Sequence, residues 1–377
     1  MKAAPAAYFH DFRPLPVGAP LSQNEVISWL KRALARTRGG RLAPQDRRAL
    51  TLYDRLGRGG SIEKRASALA DYGRRDWRRM ELFRDRAGQR WFKPTLQARM
   101  AVYEDKVLKL ASRAFPAGER APDYAVQVSC TGYASPHALQ RVVARRGWDS
   151  RFLHIGHMGC YASVPAAAMA ANLVRGEAAS GNPAARAALF FAELCTLHLK
   201  PGANADGQVV VNTLFADGAI RFDVSAKPRT RSLELLVSRE EILPGSERDM
   251  TWRLEDSAFD MGLTRAVPAL ISGAVGGFVT RTLKNAGVGF SEISHFAIHP
   301  GGPRVIDSVL RALGLPPEAS RHSRDLLRRR GNMSSATLPH VWGEMLDDPA
   351  VRHGDLILSL AFGPGLTMAA NILRKRR

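Results

Sequence analysis

Apolar and polar residues alternate along this chain in blocks that switch between the two regular periods. Ser22 followed by QNEVISWLKRALARTR carries an N-cap residue, a glutamate three positions on and apolar residues at helical spacing, which predicts a helix start at Ser22. Arg36 to Asp85 reads as helix-rich and basic, broken at Gly57, Gly59 and Gly60, and TLQARMAVYEDKVLKLASRA (95–114) reads as an amphipathic helix. YAVQVS (124–129) and RFLHIG (151–156) are short strand patterns, with a helix between them over 136–146. SVPAAAMAANLVR (163–175) is a helix of small residues, apolar nearly all round and therefore central. ALFFAELCTLHL reads as a strand, TLFADGA as helical, and IRFDVS as a strand. The second half repeats the theme with helix 267–285, strand HFAIH, helix 304–313, a further helix after RRRGNMSS, and LILSLAFGPGLTM as strand, turn and strand. Alternating helices and apolar strands predict an α/β fold with mixed sheets covered on both faces. Residues 1–22, Pro-rich and apolar, read as an extended leader or first strand.

Composition narrows the class. At 377 residues and 45% hydrophobic the chain can bury one large core or two. Val267–Thr280 is the most apolar run, and three glycines and a length of 14 residues argue against a membrane span. Three cysteines (Cys130, Cys160, Cys195) are too few for a disulfide framework and fit a reducing compartment. The N-terminus lacks an apolar run of signal-peptide length, so the expected location is the cytoplasm. The formal charge is +20, and residues 31–100 hold 20 basic against 7 acidic side chains. Such a face suits phosphorylated cofactors, acidic carrier proteins or nucleic acid, but no helix-turn-helix, zinc-finger spacing or RNA-binding aromatic pattern accompanies it.

Candidate chemistry sits on corners. Cys160 follows a buried strand and precedes a helix, where a helix dipole would acidify a thiol. His299 ends a strand and enters the rigid turn Pro-Gly-Gly-Pro, and Asn332 opens a helix in GNMSS. A nucleophile, an imidazole and an amide donor together suit acyl-thioester chemistry with a stabilised oxyanion. His154 and His157 are spaced i, i+3, but no carboxylate or cysteine at ligand spacing joins them, so no metal site is expected.

These segments resemble those of a known family. HMGCYASVPAAAMAANLV is similar to the active-site cysteine segment of type III polyketide synthases, the chalcone synthase-like branch of the thiolase superfamily. IHPGGPRVID resembles their histidine segment, GNMSSAT their asparagine segment, AFGPGLTM their GFGPG loop and LFADGA their FGDGA stretch, in the same order over about residues 95–372. The resemblance implies a five-layered αβαβα thiolase-like fold from two duplicated halves, residues 1–225 and 226–377, and a homodimer. It implies that Cys160 carries the acyl group, that His299 pairs with its thiolate, and that His299 and Asn332 hold the thioester oxygen of a malonyl extender. It places Cys130, Ser135, Leu199, Met261 and Phe362 at the cavity, Ser135 on a loop reaching across the dimer. Arg55 and Arg58 fall at coenzyme A contacts.

Leu199 and Met261 align with rings of the plant members, which leads to the expectation of medium-to-long fatty acyl starters and alkylpyrone or alkylresorcinol products. Cys130 reads as a small buried residue, a cavity wall or a second site for an intermediate. FADGA and AFGPG each carry an alanine where the family has glycine. Acyl and malonyl groups would arrive on coenzyme A, or the starter on an acyl carrier protein, with no other cofactor. The alternative is a single-round condenser like ketoacyl synthase III, which shares the Cys-His-Asn set.

Overall fold

The computed structural model describes residues 5–84 and 94–377. In the N-terminal half, β1 (Tyr8–Leu15) and β2 (Pro20–Ser22) lead into α1 (Gln23–Thr37). Its capping box is complete: Glu25 N–H donates to Ser22 Oγ at 3.2 Å and Ser22 N–H to Glu25 Oε2 at 2.8 Å. α2 (Pro44–Arg58) starts on a proline whose missing N–H would have had no partner there. The helix-rich reading fails beyond Gly59. There β3 (Lys64–Ala66) pairs with β2, and two one-turn helices follow, their chain pinned by the Asp71 carboxylate, which accepts from the N–H groups of Glu81, Leu82 and Phe83. α3 (Leu96–Ala114), β4 (Tyr124–Ser129), α4 (Ala138–Arg146), β5 (Arg151–Gly156) and α5 (Ser163–Ala179) match the periodicities within a few residues. β6 (Arg186–Leu194) stops earlier than its apolar run, which turns into a one-turn helix at Cys195–His198. TLFADGA is not helical throughout. It spans the end of α6 (Asp206–Leu214) and the start of β7 (Asp217–Ser225).

The C-terminal half comprises β8 (Ser232–Ile242), the hairpin β9 (Met250–Leu254) and β10 (Phe259–Leu263), α7 (Val267–Ala286), β11 (Ile293–Ile298), α8 (Pro303–Ala312), α9 (Arg321–Arg330), α10 (Thr337–Asp347), β12 (Leu356–Gly363) and β13 (Thr367–Arg376). One nine-stranded mixed sheet runs β11-β12-β13-β8-β1-β7-β6-β4-β5. The duplication is visible in its pairings. β4 and β6 are parallel, β6–β7 and β7–β1 antiparallel; β11 and β12 are parallel, β12–β13 and β13–β8 antiparallel. β1 also pairs with β8 and so joins the halves.

Both faces of β6 and β12 are buried. In β6, Ala187, Leu189 and Phe191 face a central core with α5 and α10, whereas Ala188, Phe190 and Ala192 face an outer core with α1 to α4. In β12, Ile357 and Ala361 face the centre and Leu358, Leu360 and Phe362 an outer core under α7 and α8. The two halves of the continuous sheet, joined at β1–β8, enclose α5 and α10 between them and carry helices on their outer faces, which gives the five thiolase-like layers. The two central helices, α5 and α10, each follow an irregular corner, and these corners hold Cys160 and Asn332.

Candidate active site

The Cys160 corner is fixed by close packing. Gly159 has φ +82°, and a Cβ on it would stand 2.5 Å from Pro364 Cδ; one on Gly363 would meet the Tyr161 ring at 2.2 Å. The 363–365 turn therefore presses directly on the nucleophile's corner, which only glycines at 159 and 363 permit. Gly159 N–H donates to Cys130 Sγ at 2.9 Å, and the Cys130 thiol donates back to Gly159 O at 3.4 Å.

The Asn332 corner is held through its backbone: its N–H donates to Leu214 O at 2.9 Å and its carbonyl accepts from Ala216 N–H at 2.8 Å. Its side chain accepts from Ser334 N–H at 2.9 Å and donates to Gly301 O at 3.4 Å. The Cys160 thiol in turn donates to Ser334 Oγ at 3.7 Å. Gly301 is in the turn that follows His299, with its N–H bonded to His299 O at 2.9 Å. The three corners predicted from sequence thus meet, connected in the order Cys160, Ser334, Asn332, Gly301, His299.

The expected acidified thiol is a point of difference. Burial pushes the Cys160 thiol up to about 12, outweighing the hydrogen bonding with Ser334 and Asn332, and the Glu193 carboxylate adds to the rise. The helix dipole does not prevail because α5 begins only at Ser163 and the sulfur is enclosed. Burial likewise pushes His299 down to about 3, and neither ring nitrogen has a hydrogen-bond partner among the described residues. Burial thus favours the uncharged form of each group.

Beside the corner is a cavity of about 20 Å³, room for little more than one water. Cys130, Leu199 and Met261 line it, as expected. Phe362 does not: the strand alternation turns it into the outer core. Ser135 is exposed on the loop after β4, outside the chain's own cavity. Arg55 and Arg58 are exposed on the last turn of α2, where Arg58 shares a surface groove with Lys31 and Arg32 and not the cavity. Phe215, Trp252, Phe259 and His198 line the cavity as well, so rings from other positions stand beside Leu199 and Met261.

His198 is locked in one tautomer. Its Nδ1 accepts from Phe259 N–H at 3.1 Å, so Nε2 carries the proton it donates to Thr131 O at 2.7 Å. The imidazole stacks on Phe259 at 4.2 Å, and Trp252 Nε1–H donates to Cys130 O at 2.6 Å. His154 lies against His137, their ring centroids 3.8 Å apart and the planes tilted by 31°.

Glu193 was not foreseen. Fully buried on β6, it accepts from Cys130 N–H at 3.0 Å, from Thr131 Oγ1 at 2.9 Å and from Ser335 Oγ, tying the Cys130 loop to the segment after Asn332. Its signal was a lone carboxylate inside the apolar run ALFFAELC.

Residues 234–376 match the family model for the C-terminal domain of chalcone and stilbene synthases. The chain is 30% identical over 264 residues to an alpha-pyrone synthesis polyketide synthase-like protein, Pks18, of Mycobacterium tuberculosis, covering 66% of this chain and 65% of that protein. It is 29% identical over 261 residues to probable polyketide synthase 1 of Dictyostelium discoideum, covering 66% of this chain and 8% of that one. The chain thus spans less than two thirds of the length of either relative. The crystal structure of PKS-I from the brown alga Ectocarpus siliculosus superimposes with a TM-score of 0.86 over 99% of both chains at 20% identity, which shows the shared fold. By sequence and fold together, the chain is similar to the type III polyketide synthases: residues 234–376 match the model of the chalcone and stilbene synthase C-terminal domain, and the whole chain shares the fold.

Proposed function

We propose that this chain catalyses decarboxylative condensation of an acyl thioester with malonyl thioesters, as a type III polyketide synthase. The observation that carries the reading is the connected set Cys160, Ser334, Asn332, Gly301 and His299 beside a cavity that Gly159 and Ser334 line. In the first step Cys160 Sγ attacks the acyl carbonyl, the thioester bond to coenzyme A breaks, and the thiol proton leaves with the departing coenzyme A. In the second, the malonyl C–CO₂ bond breaks and its electron pair becomes an enolate whose oxygen is held by the Asn332 amide and a His299 N–H. The enolate carbon attacks the acyl-Cys160 carbonyl, a C–C bond forms as the C–S bond to Cys160 breaks, and the thiolate released takes a proton from solvent to restore the thiol. Preorganised donors aimed at that oxygen are the main catalytic device, because they cost no reorganisation in a dry site. A neutral imidazole and a neutral thiol serve this scheme: His299 can donate a hydrogen bond without carrying charge, and sulfur loses its proton as the acyl group arrives.

The substrates are coenzyme A thioesters, and the reaction calls for no other cofactor. The basic face around Lys31, Arg32, Arg55 and Arg58 suits their phosphates or an acidic acyl carrier protein. A homodimer is supported by the sheet edge: β5 has a free side, and Leu153 and Met169, 39% and 52% exposed, flank an apolar groove between β5 and α5. Among the described residues no helix is long and apolar enough to cross a membrane. Beside the medium-to-long fatty acyl starter expected from sequence, the rings of Phe215, Trp252 and Phe259 in the wall support a second reading. Compact or planar acyl groups suit that wall better. Incubation with an acyl-coenzyme A panel and malonyl-coenzyme A, read by product mass, tests this. More than one added two-carbon unit separates it from the single-round ketoacyl synthase reading.

A further inference from the structure

Arg65, on β3, is 2% exposed and forms no ion pair among the described residues. Its Nη1 donates to Asn212 O at 2.9 Å and to Phe215 O at 2.7 Å, while Nε and Nη2 have no hydrogen-bond partner. A buried charge so incompletely paired costs stability, so packing alone does not explain an arginine here. The carbonyl end of α6 attracts the cation, and what it grips is informative. Phe215 is the residue whose neighbours Leu214 and Ala216 bond to the backbone of Asn332 on both sides, in a parallel bridge between Phe215 and Asn332. Gly331, with φ +72°, lies directly over the arginine: a Cβ there would stand 3.3 Å from Arg65 Cβ and 3.1 Å from Ala216 Cβ. Arg65, residues 214–216 and the Asn332 corner therefore stack as one unit.

We propose that Arg65 is a positioning residue that holds residues 212–216 in place and through them aims the Asn332 amide. The role rests on the reading of Asn332 as an oxyanion donor. It acts on decarboxylation and extension, which use Asn332, and far less on transfer of the starter to Cys160.

The test uses Arg65→Gln and Arg65→Lys in the full chain, with three readouts: carbon dioxide release from malonyl-coenzyme A, the rate of Cys160 acylation by an acyl-coenzyme A followed by intact mass, and thermal midpoint. The expected result is a fall of roughly 10- to 100-fold in kcat for decarboxylation in Arg65→Gln, as a displaced reacting group commonly causes. KM and Cys160 acylation should stay within about threefold, and Arg65→Lys, which keeps a charged donor, should recover part of the loss. Equal loss of acylation and decarboxylation, or a wild-type decarboxylation rate in either folded variant, overturns the proposal. If Arg65→Gln does not fold, Arg65→Lys decides by the same ratio of rates. Absence of decarboxylation in the wild-type protein refutes instead the condensing-enzyme reading beneath it.

Discussion

Replacing Gly159 by alanine tests whether the corner before the nucleophile is as tightly fixed as its geometry implies. Two costs add. At φ +82° an L-residue is in the left-handed region, worth about 1–2 kcal/mol of strain. The new methyl would also lie 2.5 and 3.0 Å from Pro364 Cδ and Cγ, a rigid ring in the turn between β12 and β13, and overpacking of that kind costs about 1–3 kcal/mol. Together the loss is about 2–5 kcal/mol. With an unfolding entropy of roughly 2 cal/mol/K per residue over 377 residues, the thermal midpoint should fall about 3–6 °C. Gly147→Ala is the control, since φ there is +62° and nothing lies within 4 Å of a Cβ, so it carries the strain without the contact. Scanning calorimetry of both variants and of Gly159→Ala with Pro364→Ala isolates the contact as a coupling energy. Condensation should fall roughly 10²-fold in Gly159→Ala alone, because the displaced residue is the neighbour of Cys160. A Gly159→Ala protein as stable as Gly147→Ala and fully active would refute the fixed corner.

Other outcomes follow from the same geometry. Asn332→Ala should lower malonyl decarboxylation by roughly 10²–10³-fold, the usual loss for one oxyanion donor, as read by carbon dioxide release; a rate near wild type would remove Asn332 from the site. Because burial holds the Cys160 thiol up to about 12, the thiolate fraction of the free enzyme keeps growing as pH rises. Alkylation at Cys160, mapped by peptide mass, should climb about tenfold per pH unit from pH 7 to 9. A plateau near pH 7 would show a resident thiolate instead. Met169→Glu with Leu153→Glu should shift sedimentation toward the monomer, and unchanged sedimentation would move the dimer interface elsewhere. Short or planar acyl starters should turn over faster than chains of about twelve carbons, since each buried CH₂ gains ~0.8 kcal/mol only where space exists for it. Faster turnover of the long chains would show that the wall opens.

Local chemistry explains which parts of this structure were legible in the sequence. The Ser22 and Glu25 box, the strands 124–129 and 151–156 and the central helix after Ser163 are specified by neighbours in the chain, so periodicity finds them. TLFADGA misleads because Asp217-Gly218 has the composition of a turn, yet Asp217 is buried. Its carboxylate accepts from the N–H groups of Ala68 and Thr196, distant partners that no local pattern reveals. β8 escaped notice because its apolar start gives way to the charged REEI. Within the site, Cys160, His299 and Asn332 stand out through their glycine- and proline-marked corners. Glu193, His198, Phe215 and Trp252 do not, for their roles come from contacts across 60 or more residues or from the cavity they share. The rise that burial gives the thiol is hidden for the same reason, because burial is a property of the fold and not of the helix that follows.

Product mass after incubation of the full chain with acyl-coenzyme A and uniformly ¹³C-labelled malonyl-coenzyme A tests the proposed chemistry most directly. Decarboxylative condensation at Cys160 requires products heavier than the starter by repeated ¹³C₂ units, with one labelled carbon dioxide released per unit and none of either from folded Cys160→Ala. Intact malonyl-coenzyme A alongside unextended starter, or the same products from Cys160→Ala, would contradict it.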